Sequence, residues 1–144
     1  CLSTVTTHDL PPTAGYLGLV HVALRDRLGL LTRPAEEERA VEEQAIAAFR
    51  AMLVERGLLS AAAGVPETVE ALHRLLAQTP SRMLGVALPD LVGDVRIINQ
   101  PGTQDEYPNW RVPLAGPNGI PMQLEQVMAA PMAVRLAAAV GTPS

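Results

Sequence analysis

Two strand-length segments, separated by a long stretch of helical sequence, are the feature that most constrains the fold of this chain. Residues 2–6 form a short β-prone run, which must stop before Pro11 and Pro12 because proline cannot donate a ladder hydrogen bond. Residues 83–88 form a continuous apolar run, which is typical of a strand covered on both faces in a parallel sheet. Strands joined through helices run parallel to one another, so this order predicts a helix-rich α/β fold made of about two βα units.

Four other segments show helical periodicity: residues 13–30, residues 34–56, residues 66–77 and residues 121–140. The second of these is predicted to have Thr32 as its N-cap, to hold Pro34 in its first turn and to end at Gly57. The fourth is predicted to be interrupted at Pro131.

A long segment without helix or strand periodicity, residues 96–114, is rich in Pro, Gly, Asn and Asp and contains the single tryptophan, Trp110. Loops of this length are unusual inside compact domains and are often functional. In parallel α/β folds the site lies where strands end at their carboxyl edges. His8 and Asp9 follow the first strand, and the loop with Asn99 follows the second. The sequence therefore predicts a site at this edge of the sheet.

Composition excludes several classes of function. The 144 residues suit one ordinary domain, and 48% hydrophobic with 18% charged residues is a globular composition. The net charge of −4 and the lack of a basic cluster argue against a nucleic-acid surface. Cys1 is the single cysteine, so the sequence has no disulfide framework and no metal-ligand spacing. No stretch reaches the length of a membrane span. We therefore expect a cytoplasmic protein without a metal, a cofactor or a membrane partner.

Three motifs occur in a characteristic order: TTHDLPPTAGY, LPDLVGD and INQPGTQDEYPNWRVPL. Together they resemble the C-terminal part of bacterial 4-α-glucanotransferases, the amylomaltases or disproportionating enzymes of glycoside hydrolase family 77 in the α-amylase superfamily. The resemblance implies a (β/α)8 (TIM) barrel of which this chain supplies roughly the last quarter. Residues 1–144 would then be the C-terminal segment of the catalytic barrel, holding strands seven and eight with their helices and the active-site loop 96–114, and not a complete domain.

The resemblance also implies a reaction, the transfer of 4-α-glucan segments between α-1,4-glucans, or maltooligosaccharides, with retention of configuration. Retention uses two carboxyl groups, a nucleophile and an acid/base. In this family they lie at the ends of the fourth and fifth strands, which this chain lacks. Asp9 matches a third carboxylate, which holds the 2- and 3-hydroxyls of the transferred sugar, and His8 matches its companion. Asn99 is the predicted polar sugar contact on the acceptor side, and Trp110 is predicted to stack on a glucose face.

The residues alone leave other interpretations open. Without the resemblance, His8 and Asp9 are more often a strand-end polar pair or a helix cap than a catalytic site. Trp110 is equally well explained as a buried anchor for the loop. His21 and His73 lie within helical patterns, where surface or packing roles are the usual ones.

The whole chain also has an alternative interpretation, as a stand-alone, non-catalytic α/β binding module or an inactive gene remnant. It begins with Cys1 inside a predicted strand, which favours a segment of a longer protein. A quarter of a barrel leaves strand edges and apolar helix faces uncovered. We therefore expect isolated residues 1–144 to be inactive, and marginally stable, oligomeric or partly molten.

Overall fold

The computed structural model describes residues 1–141 of the chain. Within them, two strands and seven helices follow one another in the order β1 (Leu2–Thr4), α1 (Thr13–Leu17), α2 (Val20–Arg27), α3 (Ala35–Glu55), α4 (Val65–Ala77), β2 (Met83–Gly85), α5 (Leu88–Val92), α6 (Leu124–Met128) and α7 (Pro131–Gly141). The strands pair in parallel, with Leu2 opposite Met83 and Thr4 opposite Gly85. The predicted helix-rich α/β organisation with a parallel sheet is therefore confirmed.

Both strands are shorter than predicted. β2 covers only three residues, because the chain enters α5 at Leu88, with Pro89 in the first turn, where its fixed φ suits a helix. Met83 and Leu88 are exposed, so the predicted cover on both faces is not supplied by the described residues. The ladder of β1 ends at Thr4, whose hydroxyl donates to the carbonyl of Thr6 at 2.9 Å.

Proline and glycine set most helix ends. The prediction of Thr32 as the N-cap of α3 is wrong, because Pro34 takes that position with an extended ψ of 142°. Gly57, with a φ of +71°, follows the end of this helix as predicted, since glycine adopts the left-handed conformation without strain. α7 begins at Pro131, which confirms the predicted interruption of the C-terminal helical segment.

The longest described helix, α3, has 21 residues, with three glutamates in its first turn near the positive end of the helix dipole. Neither α3 nor any other helix within residues 1–141 combines the length and the apolar character needed to cross a membrane.

The two βα units are held together by close packing beside the carboxyl edge of the sheet. One buried cluster joins helices from both units, with Ala14, Val69 and Leu136 at its centre. Two further clusters lie within one unit each; their central residues are Leu53, Leu59 and Ala71 in the first unit, and Val92, Val127 and Ala130 in the second. In α1, a Cβ atom on Gly15 would lie 2.3 Å from the carbonyl oxygen of Val95. Only glycine therefore allows α1, which follows β1, to approach the segment that leads into loop 96–114.

Candidate functional site

A tight turn after β1 carries His8 and Asp9 into solvent. The backbone N–H of Leu10 donates to the carbonyl of Thr7 at 3.2 Å, which closes a four-residue turn with His8 and Asp9 at its corner. The buried Thr6 hydroxyl donates to the carbonyl of Pro11 at 2.8 Å and fixes the base of this turn. The chain then enters α1 through two buried prolines, so the turn keeps its two polar side chains outward.

The structure brings all four predicted site residues together. The amide Nδ2 of Asn99 donates to Asp9 Oδ1 at 2.6 Å, and His8 Nε2 lies 3.2 Å from Asp9 Oδ2. The rings of His8 and Trp110 lie 5.3 Å apart between centroids, at an angle of 42°. The side chains of His8 and Asp9 are 60% and 52% exposed. An exposed carboxylate, an imidazole, an amide and an indole thus face one open surface, which suits recognition of a polyhydroxylated ligand with one apolar face.

Trp110 owes its placement to an unusual backbone conformation. Its φ is +63°, in the left-handed region that non-glycine residues rarely adopt, and its N–H donates to the carbonyl of Ile98 at 2.9 Å. The residue is 62% exposed, so the interpretation as a buried anchor is wrong. Such strained conformations persist where the surrounding structure imposes them, and they are concentrated at functional sites.

Asn109, which the sequence analysis did not single out, organises the interior of loop 96–114. Its side-chain oxygen accepts from the N–H of Gln100 at 2.8 Å, and its Nδ2 donates to the hydroxyl of Thr103 at 2.8 Å. The hydroxyl of Tyr107 donates to the carbonyl of Ile97, and burial raises the pKa of that phenol. The loop is therefore a folded unit despite its lack of regular secondary structure.

An ion pair closes the base of the loop. Asp94 is buried and accepts two side-chain hydrogen bonds from Arg96, at 3.0 and 2.9 Å. Asp94 also accepts from the N–H of Ala115 at 2.9 Å, while Arg96 donates to the carbonyl of Pro113 at 2.5 Å. Hydrogen bonding to Asp94 raises the pKa of the Arg96 guanidinium above its already high value. The sequence signal for this pair was an acid and an arginine two residues apart at the start of the loop.

The aspartate that follows β2 has a structural role. Asp90 is buried and accepts from both the backbone N–H and the hydroxyl of Thr13, at 2.8 and 2.6 Å. His73 Nδ1 donates to the carbonyl of Val69 at 2.8 Å, and its Nε2 lies 3.7 Å from Asp90 Oδ2. This cluster fastens the start of α1 to α4 and α5.

His21 is also buried, which confirms a packing role for both helical histidines. It stacks on the ring of Tyr16 at 5.1 Å, and neither ring nitrogen has a hydrogen-bond partner within residues 1–141. Burial lowers the pKa of His21, while Glu42, 3.8 Å away, acts in the opposite sense. Burial and the hydrogen bond to Glu42 raise the pKa of Tyr16 to about 12.

No three acidic, histidine or cysteine side chains converge as a metal site within the described part of the chain. The candidate site offers one carboxylate and one imidazole, so its chemistry is that of hydrogen bonding and charge.

Comparison with known proteins shows which family the chain belongs to. A family model for 4-alpha-glucanotransferase, glycoside hydrolase family 77, matches residues 1–118. The 4-alpha-glucanotransferases of Mycobacterium bovis and Mycobacterium tuberculosis are each 57% identical over 142 residues, which is 97% of this chain and 20% of theirs. The 4-alpha-glucanotransferase of Haemophilus influenzae is 29% identical over 125 residues, covering 80% of this chain and 18% of its own.

A solved structure, the amylomaltase from Corynebacterium glutamicum, superposes with a TM-score of 0.89 and 38% sequence identity, over 96% of this chain and 21% of that one. The chain spans about a fifth of the length of these relatives. Because the family model covers most of its residues, the chain belongs to the 4-alpha-glucanotransferase family of glycoside hydrolase family 77.

Proposed function

We propose that this chain forms one wall of the glucan-binding cleft of a cytoplasmic 4-α-glucanotransferase and supplies its transition-state-stabilising carboxylate, Asp9. The observation that carries the proposal is the convergence of four side chains from two distant segments. His8 and Asp9 come from the turn after β1, and Asn99 and Trp110 come from the loop behind β2, yet they meet at the carboxyl edge of one parallel sheet.

The proposed setting is a complete (β/α)8 barrel in which β1 and β2 are strands seven and eight. A sheet of two short strands has two open edges, and parallel sheets in barrels are buried on all sides. Large apolar side chains of the described helices also remain exposed, among them Phe49, Leu124, Met128 and Val134. Exposed apolar surface of this kind is typical of faces that pack against further protein.

The chemistry assigned to Asp9 is electrostatic. In a retaining transfer, a nucleophile and an acid/base, which we place on other strands of the full-length parent, form and resolve a glycosyl-enzyme. The sugar ring flattens as positive charge develops at its anomeric carbon. Asp9 accepts hydrogen bonds from the 2- and 3-hydroxyls, and these bonds tighten in the flattened ring and lower the barrier selectively. A carboxylate suits this role because it only accepts, so it orients both hydroxyl protons.

The proposed ligands are α-1,4-glucans of the maltooligosaccharide class. The exposed indole of Trp110 offers a flat apolar surface beside the polar pair, and the C–H face of a glucose ring packs on such a surface. The imidazole of His8 lies between the indole and the carboxylate and adds a hydrogen-bonding group for the same sugar.

The test is Asp9→Asn in the full-length parent, assayed by maltotriose disproportionation. Asparagine keeps the shape but removes the charge, so turnover falls by about a thousandfold or more, which corresponds to roughly 4 kcal/mol of transition-state stabilisation. Asp105→Asn, at an exposed carboxylate within the same loop, is the matched control and keeps normal turnover. Both variants keep the thermal unfolding midpoint of the parent. Near-normal disproportionation by Asp9→Asn contradicts the proposed role.

A further inference from the structure

We propose that Asn99 is a positioning residue that acts on Asp9, and that it does not serve mainly as a sugar contact. This inference rests on the proposed function and deepens it. The amide of Asn99 points at the carboxylate, with Nδ2 at 2.6 Å from Asp9 Oδ1. The amide thereby ties loop 96–114 to the group that stabilises the transition state.

The lone pairs of Asp9 show what this bond achieves. A carboxylate has about four acceptor positions, two on each oxygen. Asn99 occupies one on Oδ1, and His8 Nε2 lies beside Oδ2 at 3.2 Å. At least one position on each oxygen then stays open, and the 2- and 3-hydroxyls of a pyranose ring are a neighbouring pair of donors. The protein contacts thus leave two neighbouring acceptor positions on the carboxylate, one for each of the two hydroxyls.

Asp9 needs this support because its own surroundings do not immobilise it. Its side chain is 52% exposed at the corner of a turn. Among the described residues, Asn99 makes the one hydrogen bond to its carboxylate. Without that bond the carboxylate would rotate in solvent, and part of the stabilisation would be lost to reorganisation in every turnover.

The backbone around Asn99 is held by hydrogen bonds that its two sequence neighbours make. The carbonyl of Ile98 accepts from the N–H of Trp110 at 2.9 Å, and the N–H of Gln100 donates to Asn109 Oδ1 at 2.8 Å. The backbone on both sides of Asn99 is therefore bonded to the same dipeptide across the loop. A fixed backbone of this kind can impose an orientation on an exposed partner.

A positioning role and a direct sugar contact differ in their kinetics. A contact made equally with substrate and transition state changes KM, whereas a group that orients Asp9 for the transition state changes kcat. In the full-length parent, Asn99→Ala lowers kcat for maltotriose disproportionation by about tenfold to a hundredfold, and KM changes by less than about threefold.

Asn99→Asp supplies a second, nearly isosteric variant with an independent pH signature. It replaces the donor by a carboxylate against Asp9, and two adjacent carboxylates share a proton, which raises their apparent pKa. The acid limb of the kcat profile therefore moves to higher pH by about one unit. His8, the other titratable group that contacts Asp9 within residues 1–141, is unchanged in this variant. Asn118→Asp makes the same chemical change in an exposed turn outside the site and is the matched control.

The outcomes separate the two proposals. Lower kcat for Asn99→Ala together with the shifted acid limb for Asn99→Asp supports positioning. A raised KM at constant kcat for Asn99→Ala overturns positioning in favour of a direct sugar contact, and wild-type kinetics with an unmoved pH profile overturn any role. An inactive Asp9→Asn beside a fully active Asn99→Ala refutes only the positioning role, whereas a fully active Asp9→Asn refutes the proposed function itself.

Discussion

A histidine lies beside an aspartate at two places near the carboxyl edge of this small sheet, once in solvent and once in the core. In the exposed pair, His8 Nε2 lies 3.2 Å from Asp9, and more than half of each side chain is exposed. In the buried pair, His73 Nε2 lies 3.7 Å from Asp90, and both side chains are 0% exposed. The residue types are the same, and each aspartate closely follows a strand.

The two pairs differ in how far the protein saturates each carboxylate. Asp90 accepts two hydrogen bonds from Thr13, one on each oxygen, and has no access to solvent. Asp9 accepts one hydrogen bond from Asn99 and keeps open acceptor positions. A saturated, buried carboxylate fastens structural elements together, whereas an open, exposed one is available to a ligand. Mutations in the buried pair are therefore expected to lower stability, and mutations in the exposed pair to lower activity.

The largest effect on stability is expected from Asp90→Ala. It leaves the buried N–H and hydroxyl of Thr13 without an acceptor, which costs about 3–5 kcal/mol. The urea concentration at the midpoint of unfolding of the full-length parent falls accordingly. Asp9→Ala, at the exposed pair, changes stability by less than about 0.5 kcal/mol. Equal shifts in the two midpoints would show that the pairs do not differ in the way described.

A smaller effect is expected from Thr13→Val, which keeps the shape of the side chain but removes the hydroxyl that donates to Asp90. The backbone N–H still donates, so the loss is about 1–2 kcal/mol, less than for Asp90→Ala. Asn99→Ala at the exposed pair shows the opposite pattern, with lower kcat and an unchanged urea midpoint. A change in kcat for Thr13→Val larger than about twofold would contradict the separation between the structural pair and the proposed catalytic pair.

The smallest effect concerns His21, the third histidine, which is buried without hydrogen-bond partners within the described residues. Burial lowers the pKa of its imidazole, and Arg25 adds to this lowering, while Glu42 and Glu38 oppose it. The unfolded state therefore binds a proton more readily than the folded state. Stability is retained above the unfolded pKa of about 6.5 and decreases as the pH falls below it.

His21→Phe tests this dependence, because phenylalanine keeps the ring that stacks on Tyr16 and cannot be protonated. The thermal midpoint of the parent falls less between pH 7 and pH 5 in this variant than in the wild type. An identical fall in both proteins would show that His21 contributes nothing to the acid sensitivity.

Much of the fold could be predicted from local sequence. Pro131 and Gly57 mark helix ends because their backbone preferences act locally, and the parallel order of β1 and β2 follows from the helices between them. The length of β2 could not be predicted. Residues 83–88 are apolar throughout, so the sequence gives no sign that the strand ends at Gly85 and that α5 begins at Leu88.

The site was predicted largely through family resemblance, and its internal contacts were not predicted. The bond between Asn99 and Asp9 joins positions 90 residues apart, which no local pattern encodes. Sequence alone also does not distinguish Asp9 from Asp90, since both closely follow a strand. Their different roles depend on Thr13, whose N–H and hydroxyl reach only one of them.

The hydrogen-bonded cluster of Asp94, Arg96 and Ala115 at the base of the loop has a consequence for how such a protein diversifies. Because this cluster ties the two stems of the loop together, the described fold receives the same pair of attachment points whatever the intervening residues are. Substitutions at the exposed positions between the stems can therefore change the surface of the loop without displacing the scaffold beneath it.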